Sequence, residues 1–114
     1  MKTLTGKDKE YGFFFCYKDR QKTEKEFELF CNVANEADDN PCTFYLAAAQ
    51  WSNKRFYPFM IAMILPAEYE HEISGWLTKH KIFFGDTVEG TRNTLDFYAN
   101  AKPLFKIKMF PKVI

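Results

Sequence analysis

Residues 43–65 read TFYLAAAQWSNKRFYPFMIAMIL. Residues 43–51 and 56–65 are apolar, rich in aromatic and aliphatic side chains, and have strand length. The four polar residues between them, Ser52, Asn53, Lys54 and Arg55, have hairpin length. The stretch therefore predicts two antiparallel strands. Pro58 cannot donate to a ladder, so it is expected near the second strand's start, at a bulge, or where the N–H goes unused.

Working outward, residues 11–17 (YGFFFCY) form a third strand-like run bounded by charged residues. Its lack of alternation implies that both of its faces meet apolar surface. Residues 23–37 predict a helix. Thr23 and Glu26 have the spacing of a capping box, and Phe27, Phe30, Cys31 and Ala34 recur at i, i+3, i+4 and i+7. Residues 38–41 (DDNP) stop it, because Pro41 disfavours a helical residue before it. Pro66 is expected to open a second helix as a first-turn proline, with Glu68, Glu70 and Glu72 near its positive end. Its apolar stripe is Tyr69, Ile73, Trp76, Leu77 and His80, and Gly75 weakens it.

Beyond residue 80 the signal is weaker. Residues 81–84 suit a short strand, 85–93 are turn-rich, and 94–98 suit either a strand or one helical turn. Residues 104–110 (LFKIKMF) alternate: Phe105, Ile107 and Met109 fall on one side, Lys106 and Lys108 on the other, as in a guarded edge strand. The order is β-α-β-β-α-β with an insertion before the last strand. That is the split pattern of ferredoxin-like α+β folds, with two helices on one face of a four-stranded antiparallel sheet and the other face open. The competing arrangement is another α+β fold with a hairpin added from residues 81–98.

Composition bounds the function. The chain has 114 residues, 46% hydrophobic and 27% charged, with a net charge of +1. One globular domain spanning 1–114 is expected, its first nine polar residues frayed. A near-zero charge argues against a polybasic protein. The three cysteines, Cys16, Cys31 and Cys42, show no C-x-x-C spacing, and residues 1–10 lack the apolar segment of a signal peptide. The longest apolar run, 59–65, is too short for a bilayer, so a cytoplasmic protein with no membrane partner is expected.

Aromatic content is high: 13 Phe, 6 Tyr and 2 Trp. Sorting the strands by parity puts Phe14, Cys16, Phe44, Leu46, Ala48, Met60, Ala62 and Ile64 in one set, small or aliphatic and suited to the helices. Tyr11, Phe13, Phe15, Tyr17, Tyr45, Trp51, Tyr57 and Phe59 form the other, suited to an open face because Tyr and Trp keep a polar group. Lys106 and Lys108 are expected at that face's edge. Such a patch exceeds what soluble monomers leave exposed. Its cover would be residues 81–101, a second copy of the chain, or a partner.

No catalytic constellation, metal site or cofactor motif is found. His71 and His80 lie on opposite sides of one helix, and Glu68 with Glu72 fits the helix dipole better than acid–base work. A pairing of Cys42 with a histidine in space remains open, and buried structural cysteines are favoured. Residues 55–62 (RFYPFMIA) resemble the third-strand motif of RNA-recognition motifs at Arg55, Tyr57, Phe59 and Met60, and depart from it at Phe56, Pro58 and Ala62. That resemblance implies aromatic stacking of single-stranded RNA or DNA bases on the same fold.

The expected function is thus a non-enzymatic interaction domain binding a protein partner or forming a homodimer. Its binding residues would be Tyr11, Phe13, Phe15, Tyr17, Tyr45, Trp51, Arg55, Tyr57, Phe59, Lys106 and Lys108. Single-stranded nucleic acid is the alternative partner. By analogy, small domains without chemistry are often inhibitors or adaptors, including those carried by phages and mobile elements.

Overall fold

The computed structural model describes residues 10–51, 56–82, 87–91 and 94–111, taking 87–91 and 105–107 as backbone alone. Strand β1 (Glu10–Tyr17) leads into helix α1 (Arg20–Glu36). The helix begins three residues before the expected start. Asp19 is the N-cap, its carboxylate accepting from the Gln21 N–H at 3.1 Å, and the Thr23 hydroxyl donates back to the Asp19 carbonyl at 2.8 Å. The expected capping box of Thr23 and Glu26 is therefore replaced, since Glu26 instead accepts the Tyr17 hydroxyl at 2.9 Å. The predicted stripe holds: Phe27, Phe30, Cys31 and Ala34 are all buried.

Strands β2 (Phe44–Trp51) and β3 (Phe59–Pro66) form the expected hairpin. Pro58 falls just ahead of β3, where its carbonyl accepts the Trp51 N–H at 2.8 Å. Pro66 ends β3 in extended conformation and so does not open a helix; a 3-10 turn (Ala67–Tyr69) intervenes before α2 (Glu70–Lys79). Helix α2 buries Ile73, Trp76 and Leu77. It closes in a Schellman motif, with the Ile82 N–H donating to the Leu77 carbonyl, the Lys81 N–H to that of Thr78, and Lys81 at φ 55°.

The expectation of four strands is corrected. Residues within the turn-rich stretch form β4 (Thr87–Thr91), residues 95–100 form a short helix α3 (Leu95–Asn100), and β5 (Ala101–Phe110) follows directly. The result is an α+β fold with a five-stranded antiparallel sheet in the order β4-β1-β3-β2-β5. A five-residue strand such as β4 carries little local signal; pairing with β1 specifies it.

Residues directly opposite in antiparallel strands share a face, so the register sorts the side chains. Phe15 faces Ile61, which faces Ala48; Phe14 faces Ala62, which faces Ala47. One face carries Phe15, Tyr17, Ile61, Met63, Leu46 and Phe44 against α1 and α2, with Tyr11, Phe13 and Phe59 packed at its margin. The second face carries Phe14, Cys16, Met60, Ala62, Ile64, Tyr45 and Ala49, with Phe97 of α3 packed on them.

The parity assignment for β1 and β3 is thereby corrected. Tyr11, Phe13, Phe15, Tyr17 and Phe59 lie on the helix-covered side, and Phe14, Cys16, Met60, Ala62 and Ile64 on the other. Alternation within each strand was readable, whereas which parity of one strand joins which parity of the next depends on register. The polar group of Tyr17, entirely buried, finds its partner in Glu26 rather than in water.

Candidate interaction surface

Helix α3 decides what the second face leaves accessible. It starts beside β1, where the Thr94 and Tyr98 hydroxyls each donate to Glu10 Oε1 at 3.4 Å, and it ends at Ala101, which pairs with Trp51 of β2. It therefore crosses from the β1 side of the sheet to the β2–β5 side. Phe97 stacks on Phe14 with ring centroids 5.2 Å apart and meets Trp51 edge-on at 5.8 Å. The chain's own residues thus occupy the face expected to be open, and the residues beneath are buried.

Among the described residues, two accessible regions lie at opposite ends of the strands. The first is the end of the β2–β3 hairpin. Phe56 is 76% exposed, and Trp51 and Tyr57 beside it are half-buried. The Trp51 N–H bond to Pro58 holds the two strands together here. The Lys18 ammonium sits 5.3 Å from the Tyr57 ring centroid, a cation–π distance. Among the described residues, three aromatic side chains and the Lys18 cation thus gather at this end of the molecule.

The second is a cavity of about 420 Å³ at the other end. Its apolar wall comes from Ile64, Leu65, Pro66, Met109 and Pro111. Polar groups reach it from Glu10, Thr43 and Tyr45. Glu10 is only 1% exposed, and the hydroxyl of Tyr45 is buried with no hydrogen-bond partner among the described residues. Leaving a buried hydroxyl unsatisfied costs about 1–3 kcal/mol.

The expected binding residues are not brought together. Trp51 and Tyr57 share the hairpin end, whereas Tyr45 sits at the cavity. Tyr11, Phe13, Phe15, Tyr17 and Phe59 belong to the helix-covered core and its margin, so the first- and third-strand rings form no stacking platform on the second face. Lys108 pairs with Leu46 and so lies on the helical face, close enough to α1 for its charge to act on Cys31. This corrects its expected place at the rim of the second face. Arg55 and the side chain of Lys106 lie outside the described residues. Sequence reading passed over Phe56 and Glu10: Phe56 falls before the strand's regular alternation begins, and a charged residue opening a strand gives no sign of burial.

Asp39 accepts hydrogen bonds from Lys79, from Trp76 Nε1 at 2.8 Å and from His80 Nε2 at 2.9 Å. The Lys79 hydrogen bond, followed by those of Trp76 and His80, holds its carboxyl well below the usual carboxylate range despite some desolvation. His80 caps α2 and packs on Trp76 at 4.8 Å. Cys16, Cys31 and Cys42 are buried, and burial pushes the Cys31 thiol up to about 11, partly offset by Lys108. Among the described residues no three His, Cys, Asp or Glu side chains cluster as metal ligands, and no helix is long and apolar enough to cross a membrane. No protein-family model, curated protein or solved structure matches the chain.

Proposed function

We propose that this is a non-enzymatic protein-binding domain of the inhibitor or adaptor type that engages its partner through the β2–β3 hairpin end. Its scaffold is a ferredoxin-like core, β1-α1-β2-β3-α2-β4, extended by α3 and β5. The strand order β4-β1-β3-β2, antiparallel throughout, and the packing of α1 and α2 on one face support that reading of the core.

The observation that carries the function is the 76% exposure of Phe56 beside half-buried Trp51 and Tyr57. Tyr and Trp are the residue types on which interface energy concentrates, and here they flank paired strands β2 and β3. The second sheet face, partly covered by α3, contributes to this surface through Trp51 and Tyr57 at its border.

The test is capture of a partner from the native host, identified by mass spectrometry and then measured with purified components. Phe56→Ala and Tyr57→Ala should each weaken binding by about 2 kcal/mol, roughly thirtyfold, while Leu29→Ala on exposed α1 surface should not. Affinity should change little between low and moderate salt. A partner that proves to be single-stranded nucleic acid, with affinity falling steeply as salt rises, would replace this reading with the RNA-recognition alternative. Undiminished protein binding by both hairpin variants would refute it.

A further inference from the structure

Strand β5 ends the sheet order and, among the described residues, has no strand on its outer side. Such an edge offers its backbone to another extended chain. Which groups it offers follows from β2. The Trp51 N–H donates to Pro58, on the β3 side, and successive residues of a strand turn their backbone groups to opposite neighbours. Ala49, Ala47 and Tyr45 therefore bond toward β3, whereas Leu46 and Phe44 bond toward their β5 partners Lys108 and Phe110. Ile107 and Met109 alternate with those two, so their N–H and C=O groups point outward.

The first half of β5 is a poorer template. Pro103 also turns outward but has no N–H, and the register shifts between Ala47 and Ala49, where residues 104–106 lie opposite Ala48 alone. The usable edge is thus residues 107–109. Beside it on the second face lies the cavity of about 420 Å³, with Tyr45, Ile64, Leu65, Pro66, Met109 and Pro111 in its wall. Met109 belongs to both features, its backbone to the edge and its exposed side chain to the cavity.

In an added antiparallel strand, the residue opposite Met109 shares the second face, about 4.8 Å beyond β5. From there only a long side chain passes Met109 to reach the apolar wall, which selects an aromatic residue. The residues on either side of it turn to the helical face, where one of them meets half-buried Lys108. An acid at that place finds an opposite charge. A second copy of the chain does not: two-fold pairing centred on Ile107 sets Lys108 opposite residue 106, also a lysine, and pairing centred on Lys108 sets it opposite itself. Like charges directly opposite destabilise a sheet.

We propose that residues 107–109 accept an extended segment of a partner protein as an added antiparallel strand, with an aromatic side chain in the cavity and an acidic neighbour on Lys108. Backbone bonds supply the affinity and the cavity the selectivity. This surface lies at the opposite end of the strands from Phe56, so its failure leaves the hairpin proposal intact, and the reverse also holds.

The probe is the acetylated, amidated peptide Thr-Val-Glu-Phe-Glu-Val-Thr, titrated into the full chain and followed by calorimetry and NMR. It should shift the Ile107 and Met109 amides and the Met109 methyl group. Replacing its Phe by Ala, or both its Glu by Lys, should weaken binding by about tenfold. N-methylation of Phe, whose N–H bonds Met109, should abolish binding, whereas N-methylation of the following Glu, whose N–H points away from β5, should not. Met109→Pro removes an outward donor without breaking a bond to β2, and it should abolish binding while the melting temperature holds. No shift, shifts confined to Trp51 and Tyr57, equal binding by the lysine peptide, or equal loss from the two N-methyl peptides would overturn the proposal. Concentration-dependent dimerisation abolished by Met109→Pro would assign the edge to a second copy and overturn it likewise.

Discussion

A Cβ added at Gly12 would lie 2.7 Å from Cζ of Phe14 and 3.3 Å from Cδ1 of Ile64. Phe14 folds back over Gly12, which lets its ring stack on Phe97. Gly12→Ala should displace that ring and destabilise the protein by about 1–3 kcal/mol, the usual cost of overpacking; urea denaturation measures the loss, and an unchanged midpoint would count against the packing described. The sequence placed Gly12 in a strand but did not reveal its role, because its neighbours across β3 depend on register. Tyr17 teaches the same lesson. Its hydroxyl suggested an exposed position, yet a glutamate nine residues on supplies the hydrogen bond from within the helical layer.

Helices α1 and α2 were legible from their stripes, since burial at i, i+3, i+4 and i+7 is a property of the segment itself. Their ends were less so. Asp19, well ahead of the apolar stripe that begins at Phe27, caps α1, and the 3-10 turn after Pro66 delays α2. Helix α2 carries an avoidable weakness in Gly75, where an added Cβ meets no atom within 4 Å. Gly75→Ala should therefore raise stability by about 0.5–1 kcal/mol, seen as a higher urea midpoint with an unchanged slope.

The same helix is tied to the α1–β2 connection by Asp39. Because its folded carboxyl is held below the ordinary range, the stability it contributes is complete above the unfolded value of about 4 and is lost as pH falls below that toward the folded value. Asp39→Asn should be less stable than the parent at pH 7, and the gap between them should narrow progressively below pH 4. A gap that stays constant with acidification would show that the carboxylate's charge is not what matters.

At the scale of the molecule, the hairpin and the two helices on one face were expected and residues 94–98 suited either a strand or the helical turn found there, whereas β4 and the placement of β5 were not expected. The reason is physical: β4 has five residues and α3 six, too short for periodicity to declare them. Their stability comes from the sheet edge and the second face they occupy. Among the described residues, that placement puts most aromatic side chains in the core or at its margin, and Phe56 is the one exposed ring.

The placement of α3 across the second face is tested most directly by ring-to-ring nuclear Overhauser effects. Cross-peaks should link Phe97 to both Phe14 and Trp51, and Phe15 to Phe30. Contacts of Phe15 with Phe97, or an absence of any between Phe97 and Phe14, would mean that the faces are exchanged or that the second face is bare.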